Sequence, residues 1–448
     1  MASSPGTPRI PPQAPISFRV TPAGLIELAE TVTKTTANIV DSIVTNIIPS
    51  EATFDNVIGP FVADENGRFV HDRMIHFLGG QHPNKEIRDA AKKAYEMIAD
   101  ARIELLRRHD FFELVQAVRE KLASGQSTDG IDSELLQDNK VYVEKMFVSF
   151  EENGATLPTA AEREHYLQVK QRIQDLGRKA VQNIDAVVDG VSFTRDELKG
   201  LTGDQLKRFK VDEKVDDKYV VTLKDPDVQA IAQYASNEET RRQVWRASQN
   251  KYPENAQIHR EVFLLRDESA RMLGYPDHAT LRTKAAMIGT PQAVDDFLTR
   301  LEEQTQAKSD EDLAILREMK AADHPGIQSK FYGWDWKYYD TLRTKDELSI
   351  DESAISEYFS LDHTLDGMLK FNERLYGIKF ERLVPEEDWI WHKDVRMFAV
   401  WSEQPEEFIG YLYCDLFPRE GRFSHFSHFA LDQVRSLHPR PSPFITSH

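Results

Sequence analysis

Apolar residues recur at alternating intervals of three and four along much of this chain, and that spacing restricts its fold more than any other feature. The first series consists of Ile87, Ala91, Ala94, Ile98, Ala101 and Leu105. The second consists of Tyr166, Val169, Ile173, Leu176, Ala180, Ile184 and Val187. Such steps place every member of a series on one face of an α-helix. The sequence therefore predicts a mainly α-helical protein.

Residues that favour helix starts support this prediction. Thr194 with Glu197, and Ser236 with Glu239, have the spacing of a capping box. Thr290 precedes a proline, and proline suits the first position of a helix. We therefore expect helices to begin at the segments DELKGL and TRRQVWRAS, and again after Thr290.

Strand patterns are few, and most of them come late in the chain. KYVVTL (218–223) is one candidate. VRMFAVW (395–401) and FIGYLYCDLF (408–417) are joined by SEQPEE, and both are rich in β-branched and aromatic residues. They predict a hairpin or two adjacent strands, and thus a small β-sheet near residues 395–417.

Composition limits the possible partners and the number of lobes. A chain of 448 residues exceeds one ordinary core, so we expect two or three lobes. Its formal net charge of −18 disfavours nucleic acid, which needs clustered Lys and Arg. No apolar run approaches the length of a membrane-spanning helix, so we expect no membrane partner. Cys414 is the single cysteine; we expect a buried, inert thiol in a reducing compartment.

The first 20 residues predict a disordered leader. They contain five prolines between positions 5 and 15, which would interrupt an amphipathic presequence helix. We therefore expect a cytoplasmic protein, with the mitochondrial intermembrane space as the alternative.

The residues alone do not form a complete catalytic pattern. None of the 14 histidines belongs to an H-E-x-x-H or H-x-x-E-H motif, and no G-x-S-x-G or phosphate-binding loop occurs. His425 and His428 lie three residues apart, but a metal site there would need a third ligand that the sequence does not indicate.

Seven segments resemble, in the same order, those of the thimet oligopeptidase family of zinc metallopeptidases, which includes neurolysin and saccharolysin. They are ATFDNVIGPFVADENG (52–67), SFTRDELKGLTGDQL (192–206), NEETRRQVWRAS (237–248), LLRDESARMLGYPDHATL (264–281), WDWKYYD (334–340), WIWHKDVRMFAVW (389–401) and GYLYCDLFPREGRFSH (410–425). Together they span roughly residues 21–430.

The resemblance implies a two-lobed, mainly helical oligopeptidase that binds one zinc ion and hydrolyses internal bonds of short peptides as a monomer. It also implies a domain division: a leader (1–20), an N-terminal helical domain (21–215), the first half of a catalytic domain (216–430) and a tail unlike the family (431–448). The family's zinc ligands lie in a segment that this sequence lacks, so the catalytic lobe is expected to be incomplete. The chain as given is then expected to cleave nothing. The alternative is a non-catalytic helical protein that binds peptides or a partner.

By the same resemblance, residues 410–413 are candidate substrate-binding residues. In such peptidases an edge strand pairs with the substrate backbone, so Gly410, Tyr411, Leu412 and Tyr413 would present backbone groups to a peptide. The other possibility is an ordinary core strand. His425 would line the site, or else cap or pack locally.

Overall fold

The structure is a computed structural model. It describes residues 9–125, 133–185, 190–212, 217–323, 330–348, 355–417, 419 and 427–432. Its Cα packing separates into two compact units. Unit 1 comprises Met1–Leu157 with Leu361–His448, and unit 2 comprises Pro158–Ser360. The domain boundaries inferred from the sequence stay a prediction.

Helices dominate the described residues, which confirms the mainly α class. In chain order they are α1 (Pro22–Asn46), α2 (Gly59–Gln81), α3 (Lys85–Leu106), α4 (His109–Ser124), α5 (Ser133–Glu152), α6 (Ala160–Asp185), α7 (Gly203–Leu206), α8 (Asp225–Tyr234), α9 (Glu238–Gln249), α10 (Pro253–Met272), α11 (His278–Thr283), α12 (Pro291–Asp323), α13 (Trp336–Leu348) and α14 (Leu361–Tyr376). A π-helical turn (Phe54–Ile58) precedes α2, and a 3-10 turn (Glu387–Trp389) follows the first strand of the later sheet. No helix in these ranges has an apolar stretch long enough to cross a membrane.

The strands form two small antiparallel sheets. They are β1 (Gly190–Thr194), β2 (Lys210–Val211), β3 (Lys218–Thr222), β4 (Ile378–Leu383), β5 (Arg396–Glu403) and β6 (Glu406–Cys414). The strand orders are β1-β3-β2 in unit 2 and β4-β5-β6 in unit 1. Both the predicted strand at 218–223 and the predicted hairpin at 395–417 are confirmed.

The helices of unit 1 enclose two apolar clusters. The first fills the space between α1, the π-helical turn, α2, α4 and α5. The second joins α1, α2 and α3, where Ile87, Ala91 and Ala94 are buried as the apolar periodicity predicts. Trp391 and Val395, which precede β5, belong to the second cluster, so the sheet is tied to the helices through it.

The two faces of the β4-β5-β6 sheet pack against different partners. Leu412 and Cys414 of β6 join Phe398 of β5 in a cluster with Leu365 and Leu369 of α14. Tyr413, which points to the opposite face because side chains alternate along a strand, packs with the second helical cluster.

Residues 9–20 run beside this sheet, whereas the sequence predicted a disordered leader. Phe18 is buried and lies edge-on to the Trp391 ring, with the ring centroids 4.9 Å apart. Its backbone N–H donates to the Asp388 carbonyl at 2.7 Å. Arg9 pairs with Glu381 at 2.7 Å and lies over the Trp401 ring. A single buried aromatic and one arginine thus attach a segment whose composition otherwise favours disorder.

Unit 2 is built on the β1-β3-β2 sheet and the helices around it. α6 packs against α10, and a core of Phe193, Val221, Ile231 and Val244 joins the sheet to α8 and α9. The second apolar series is confirmed in its first part, because Tyr166, Val169 and Leu176 are buried in α6. Its last member, Val187, lies outside the described residues.

Two of the predicted helix starts differ in detail. Thr194 and Glu197 make both hydrogen bonds of a capping box, yet residues 195–200 form turns. Gly200 has a φ of 106°, and a Cβ there would lie 1.9 Å from the Tyr234 carbonyl oxygen, so the chain leaves the helical region at this point.

The second helix start that differs from its prediction is that of α9, where the cap residue is different. The helix begins as expected, but Asn237 is its N-cap and accepts from the Glu239 N–H at 2.9 Å. Ser236 instead donates its hydroxyl to the Lys199 carbonyl. The start of α12 after Thr290 is confirmed, with the Ala293 N–H donating to Thr290 Oγ1 at 3.2 Å.

A buried ionic network connects two of the segments that resemble the oligopeptidases. Asp335 of the WDWKYYD segment is fully buried; it accepts from Lys320 Nζ at 2.6 Å and from Arg241 of the NEETRRQVWRAS segment at 3.2 Å. Lys320 also contacts Glu238 at 2.9 Å. The Arg241 guanidinium lies 4.1 Å from the Tyr338 ring centroid. Two cations and two carboxylates thereby connect α9, α12 and the start of α13.

Candidate functional site

The candidate site follows the outer edge of β6. Among the described residues β6 pairs with β5 alone, so its other edge has no strand partner. Residues 410–413 all lie within this strand, opposite Val400, Ala399, Phe398 and Met397 of β5. An unpaired strand edge presents a row of backbone N–H and C=O groups that can bind an extended chain.

A cavity of about 620 Å³ lies along this edge. Ligand pockets commonly have volumes of about 300–1,000 Å³, so it is large enough for a short peptide segment. Residues 409–413 form one wall, and residues 12–14 with Ile16 and residues 427–432 form others. Phe77, Gln81 and Trp391 complete the helical side.

The backbone at Gly410 is open to the surroundings. A Cβ built there would have no neighbour within 4 Å, so approach to this residue is unobstructed. The β5–β6 register shifts between Val400 and Trp401, which pair with Gly410 and Phe408 and leave Ile409 as an extra residue. Such a bulge bends a strand and increases its local twist. Ile409 is exposed.

Two tyrosines contribute hydroxyl groups near the cavity. The Tyr413 hydroxyl is buried and has no hydrogen-bond partner in the part of the chain that the structure describes. Burial raises the pKa of Tyr413 well above its usual value, with a smaller contribution from Tyr411, so the phenol stays protonated and able to donate. The Tyr411 hydroxyl donates to the Gln13 carbonyl, and the Gln13 side chain donates to Asp432 at 3.1 Å.

Asp415 fixes the end of β6 next to the cavity. It accepts from Trp391 Nε1 at 2.8 Å and from the Arg419 guanidinium at 2.8 Å. Arg419 also donates to the Gln81 carbonyl at 3.3 Å, which connects the strand end to the last turn of α2. These contacts hold the wall formed by Trp391 and Gln81 in place.

His425, the predicted site histidine, and its neighbour His428 have different outcomes. His425 lies outside the described residues, so its role stays a prediction. His428 is exposed and lines the cavity. In the described ranges no group of three or more His, Cys, Asp or Glu side chains could hold a metal ion. The zinc implied by the resemblance therefore does not fit the side chains described, and no step of a zinc-dependent reaction is assigned to them.

Sequence reasoning missed several residues of this site. Gln13 and Asp432 lie more than 400 positions apart along the chain but meet at the cavity, and no local signal brings them together. Phe429 was recognisable as aromatic, and it packs against Phe77 with the ring centroids 5.3 Å apart. Cys414, expected to be a buried thiol, is buried, and burial raises its pKa.

Comparison with known proteins identifies the family. The model of peptidase family M3 matches residues 231–445, a range that includes β6 and the cavity residues after it. Saccharolysin of Saccharomyces cerevisiae is 31% identical over 434 residues, which cover 94% of this chain and 60% of saccharolysin. Oligopeptidase PhomG' of Diaporthe leptostromiformis is 34% identical over 409 residues, covering 89% of this chain and 33% of that protein. A thimet-like oligopeptidase of Dictyostelium discoideum is 26% identical over 364 residues, covering 79% and 53%.

The chain belongs to a peptidase family, M3. Within that family it belongs with the saccharolysin and thimet oligopeptidase group, as the order of the seven segments predicted. The chain spans between 33% and 60% of the length of these curated relatives.

Proposed function

We propose that the chain belongs to a zinc-dependent metalloendopeptidase acting on short peptides, and that β6 with its cavity binds the peptide backbone. The observation that carries this proposal is the outer edge of β6, which pairs with no strand among the described residues and lies beside a cavity of about 620 Å³. Pairing with a strand edge uses main-chain hydrogen bonds, so it tolerates many peptide sequences. Family membership supports peptides as the substrate class.

Each of the four strand residues has a defined part in this proposal. Gly410 allows the peptide backbone to approach, because no side chain stands between it and the cavity. Tyr411, Leu412 and Tyr413 supply backbone groups, and the Tyr413 hydroxyl donates to a peptide carbonyl. A buried hydroxyl without a partner loses the hydrogen bonds it would make to water, so a ligand that accepts from it regains that energy.

Tyr413→Phe tests the peptide contact. The variant removes one hydroxyl and keeps the ring packed against Phe18 and Trp391. A net hydrogen bond contributes about 0.5–1.5 kcal/mol, so affinity for a short peptide, measured by calorimetry, should fall about two- to twelvefold. The matched control is Tyr376→Phe, an exposed tyrosine at the end of α14, which should bind as the unaltered chain does. Equal affinity of the Tyr413 variant and its control would count against the assignment.

Gly410→Val gives an independent test of approach to the strand. The new side chain has room in the free protein, so the thermal midpoint should stay close to that of the unaltered chain. A branched side chain next to the strand edge restricts how closely a pairing peptide can approach, so peptide affinity should fall. Unchanged affinity in a stable variant would place the peptide elsewhere.

Catalysis needs a separate experiment. We predict that the 448 residues hold no stoichiometric zinc and cleave no short peptide, because the sequence contains no H-E-x-x-H. Zinc content by atomic absorption, together with cleavage of a quenched fluorescent peptide, tests this. Stoichiometric zinc or cleavage would contradict this prediction. Peptide binding without either is expected both here and under the alternative of a non-catalytic peptide-binding protein. The monomeric state, the cytoplasmic location and the absence of nucleic-acid and membrane partners stay predictions.

A further inference from the structure

A second cavity lies in unit 1, within the helices formed by residues 22–152. It has a volume of about 740 Å³ and is lined by α1, α2, α3 and α5. Its lining residues fall between 32 and 149, and the peptide-site cavity contains none of them. The peptide-binding proposal therefore leaves this second cavity, called the groove below, without a role.

The floor of this groove is apolar. Val32 and Val40 of α1, Phe61 of α2 and Met146 of α5 are buried there. Further apolar lining comes from α3, where Ile98, Ala101 and Leu105 are half-buried. A groove with these walls suits a hydrocarbon chain, because its burial removes apolar surface from water on both partners.

Charged residues at the groove are mostly cations. Among the described residues, five cationic side chains line it, namely Lys34, Arg68, Arg102, Arg108 and Lys145, against two anionic ones, Glu65 and Glu104. This reverses the sign of the whole chain, whose formal net charge is −18. An excess of one charge at a cavity attracts ligands of the opposite sign.

Four of these seven charges are already neutralised within the protein. Arg68 lies 3.4 Å from Asp64 and 3.7 Å from Glu65, which also accepts from the Tyr142 hydroxyl. The two remaining pairs are Arg108 with Asp110, at 2.7 Å, and Glu104 with Arg107.

Three cations remain. In the part of the chain that the structure describes, Lys34, Arg102 and Lys145 form no ion pair within 4.0 Å. They come from three different helices, α1, α3 and α5, and all three line the same groove. Each is exposed, so it lies at the rim of the groove and above the apolar floor.

We propose that this groove binds a small amphipathic anion. Its hydrocarbon chain lies on the floor formed by Val32, Val40, Phe61 and Met146, and its anionic head lies among Lys34, Arg102 and Lys145. The shared chemistry is an unbranched apolar chain that ends in a carboxylate or a phosphate. The groove volume of about 740 Å³ is in the usual range of small-ligand pockets, about 300–1,000 Å³.

The experiment uses the whole chain and four probes, three of which separate the contribution of the head from that of the tail. Dodecanoate has both parts, dodecanol has the chain without the charge, and butyrate has the charge with little chain. Dodecyl phosphate distinguishes a phosphate head from a carboxylate head. Affinities are read by displacement of a dansyl-labelled fatty acid, below the concentration at which any probe forms micelles. Dodecanoate should bind more tightly than dodecanol, and butyrate should not bind measurably.

Charge-removing variants test the head position. Exposed ion pairs are worth about 0.2–1 kcal/mol, so Lys34→Gln, Arg102→Gln and Lys145→Gln should each weaken dodecanoate about 1.4- to fivefold. None should change the affinity for dodecanol. Lys93→Gln is the matched control, an exposed lysine on α3 that does not line the groove. Raising the salt concentration should weaken dodecanoate and leave dodecanol unaffected.

A blocking variant tests the chain position. Ala37 lines the groove and is exposed, so Ala37→Trp can fill the groove without disturbing a buried core. A variant with an unchanged thermal midpoint should lose affinity for both dodecanoate and dodecanol. The proposal is overturned if dodecanoate does not bind the unaltered chain, or if folded Ala37→Trp retains full affinity. It is also overturned if a variant that combines Lys34→Gln, Arg102→Gln and Lys145→Gln binds dodecanoate as tightly as the unaltered chain does.

Discussion

Asp335→Asn should destabilise unit 2 far more than a typical loss of one charge. The carboxylate of Asp335 is completely buried, and it bonds to Lys320 at 2.6 Å and to Arg241 at 3.2 Å. The side chains of these two cations are 2% and 1% exposed. An asparagine keeps the volume and one acceptor oxygen, so the change removes mainly the negative charge. Among the described residues, Lys320 then has Glu238 as its charged partner, and Arg241 keeps three backbone carbonyl acceptors but no charged partner.

The expected magnitude follows from the burial of the pair. Removing one partner of a buried ion pair costs about 3–5 kcal/mol, because the other charge stays buried without compensation. Unit 2 covers Pro158–Ser360, and for a unit of that size 1 kcal/mol corresponds to a shift of about 2–4 °C in the thermal midpoint. The predicted decrease is therefore about 6–20 °C.

Calorimetry gives the midpoint of thermal unfolding, and hydrogen exchange shows whether the loss of stability lies in unit 2. Amides of α9 and α12 should lose protection, while those of α1 and α3 should not change. The matched control is Asp204→Asn, the same chemical change at an exposed residue that pairs with Lys207 at 2.8 Å. Its midpoint should stay within measurement error of the unaltered chain. If Asp335→Asn shifts the midpoint no more than this control, the network does not stabilise the fold.

Three further predictions concern a cap, an acid transition and a thiol. Asn237→Ala should lower the free energy of unfolding by about 1 kcal/mol in urea titrations, since it removes the N-cap of α9, and Ser236→Ala should lower it less; the reverse order would contradict the assigned cap. Burial alone would raise the pKa of Glu238, but hydrogen bonds from Lys320 and Trp334 outweigh it and hold that pKa below the usual value of a glutamate. The resulting stability is present above the unfolded pKa and is lost as pH falls through the folded one, so Glu238→Gln should show a weaker acid dependence of the thermal midpoint. Equal acid dependence would refute this. Cys414 should react with a thiol reagent much more slowly in the native chain than in urea, and equal rates would show that it is accessible.

Features that depend on nearby residues could be predicted from the sequence. The apolar series gave α3 and the first part of α6, because helical periodicity is set by residues three and four apart. The alternating segments gave the β5–β6 hairpin, because the two-residue alternation of a strand is also a local pattern. The helix expected after Thr194 does not form, since Gly200 takes a left-handed conformation next to Tyr234 that a local pattern does not reveal.

The candidate site could be predicted only in part. Residues 410–413 were assigned to a strand correctly, but the position of that strand at an edge depends on the order of three strands from different parts of the sequence. The cavity also needs Gln13 and Asp432, which meet through a fold-level contact. That the Tyr413 hydroxyl has no hydrogen-bond partner among the described residues is a property of packing, and a sequence shows only that a tyrosine is present.

Hydrogen exchange with a bound short peptide tests the peptide-binding role of β6 most directly. Binding along the outer edge should slow exchange of backbone amides within residues 408–414, because amides facing the cavity gain acceptors. Exchange in β4, on the far side of β5, should not change. Protection elsewhere with none in β6, at peptide concentrations that saturate the chain, would contradict the role proposed for this strand.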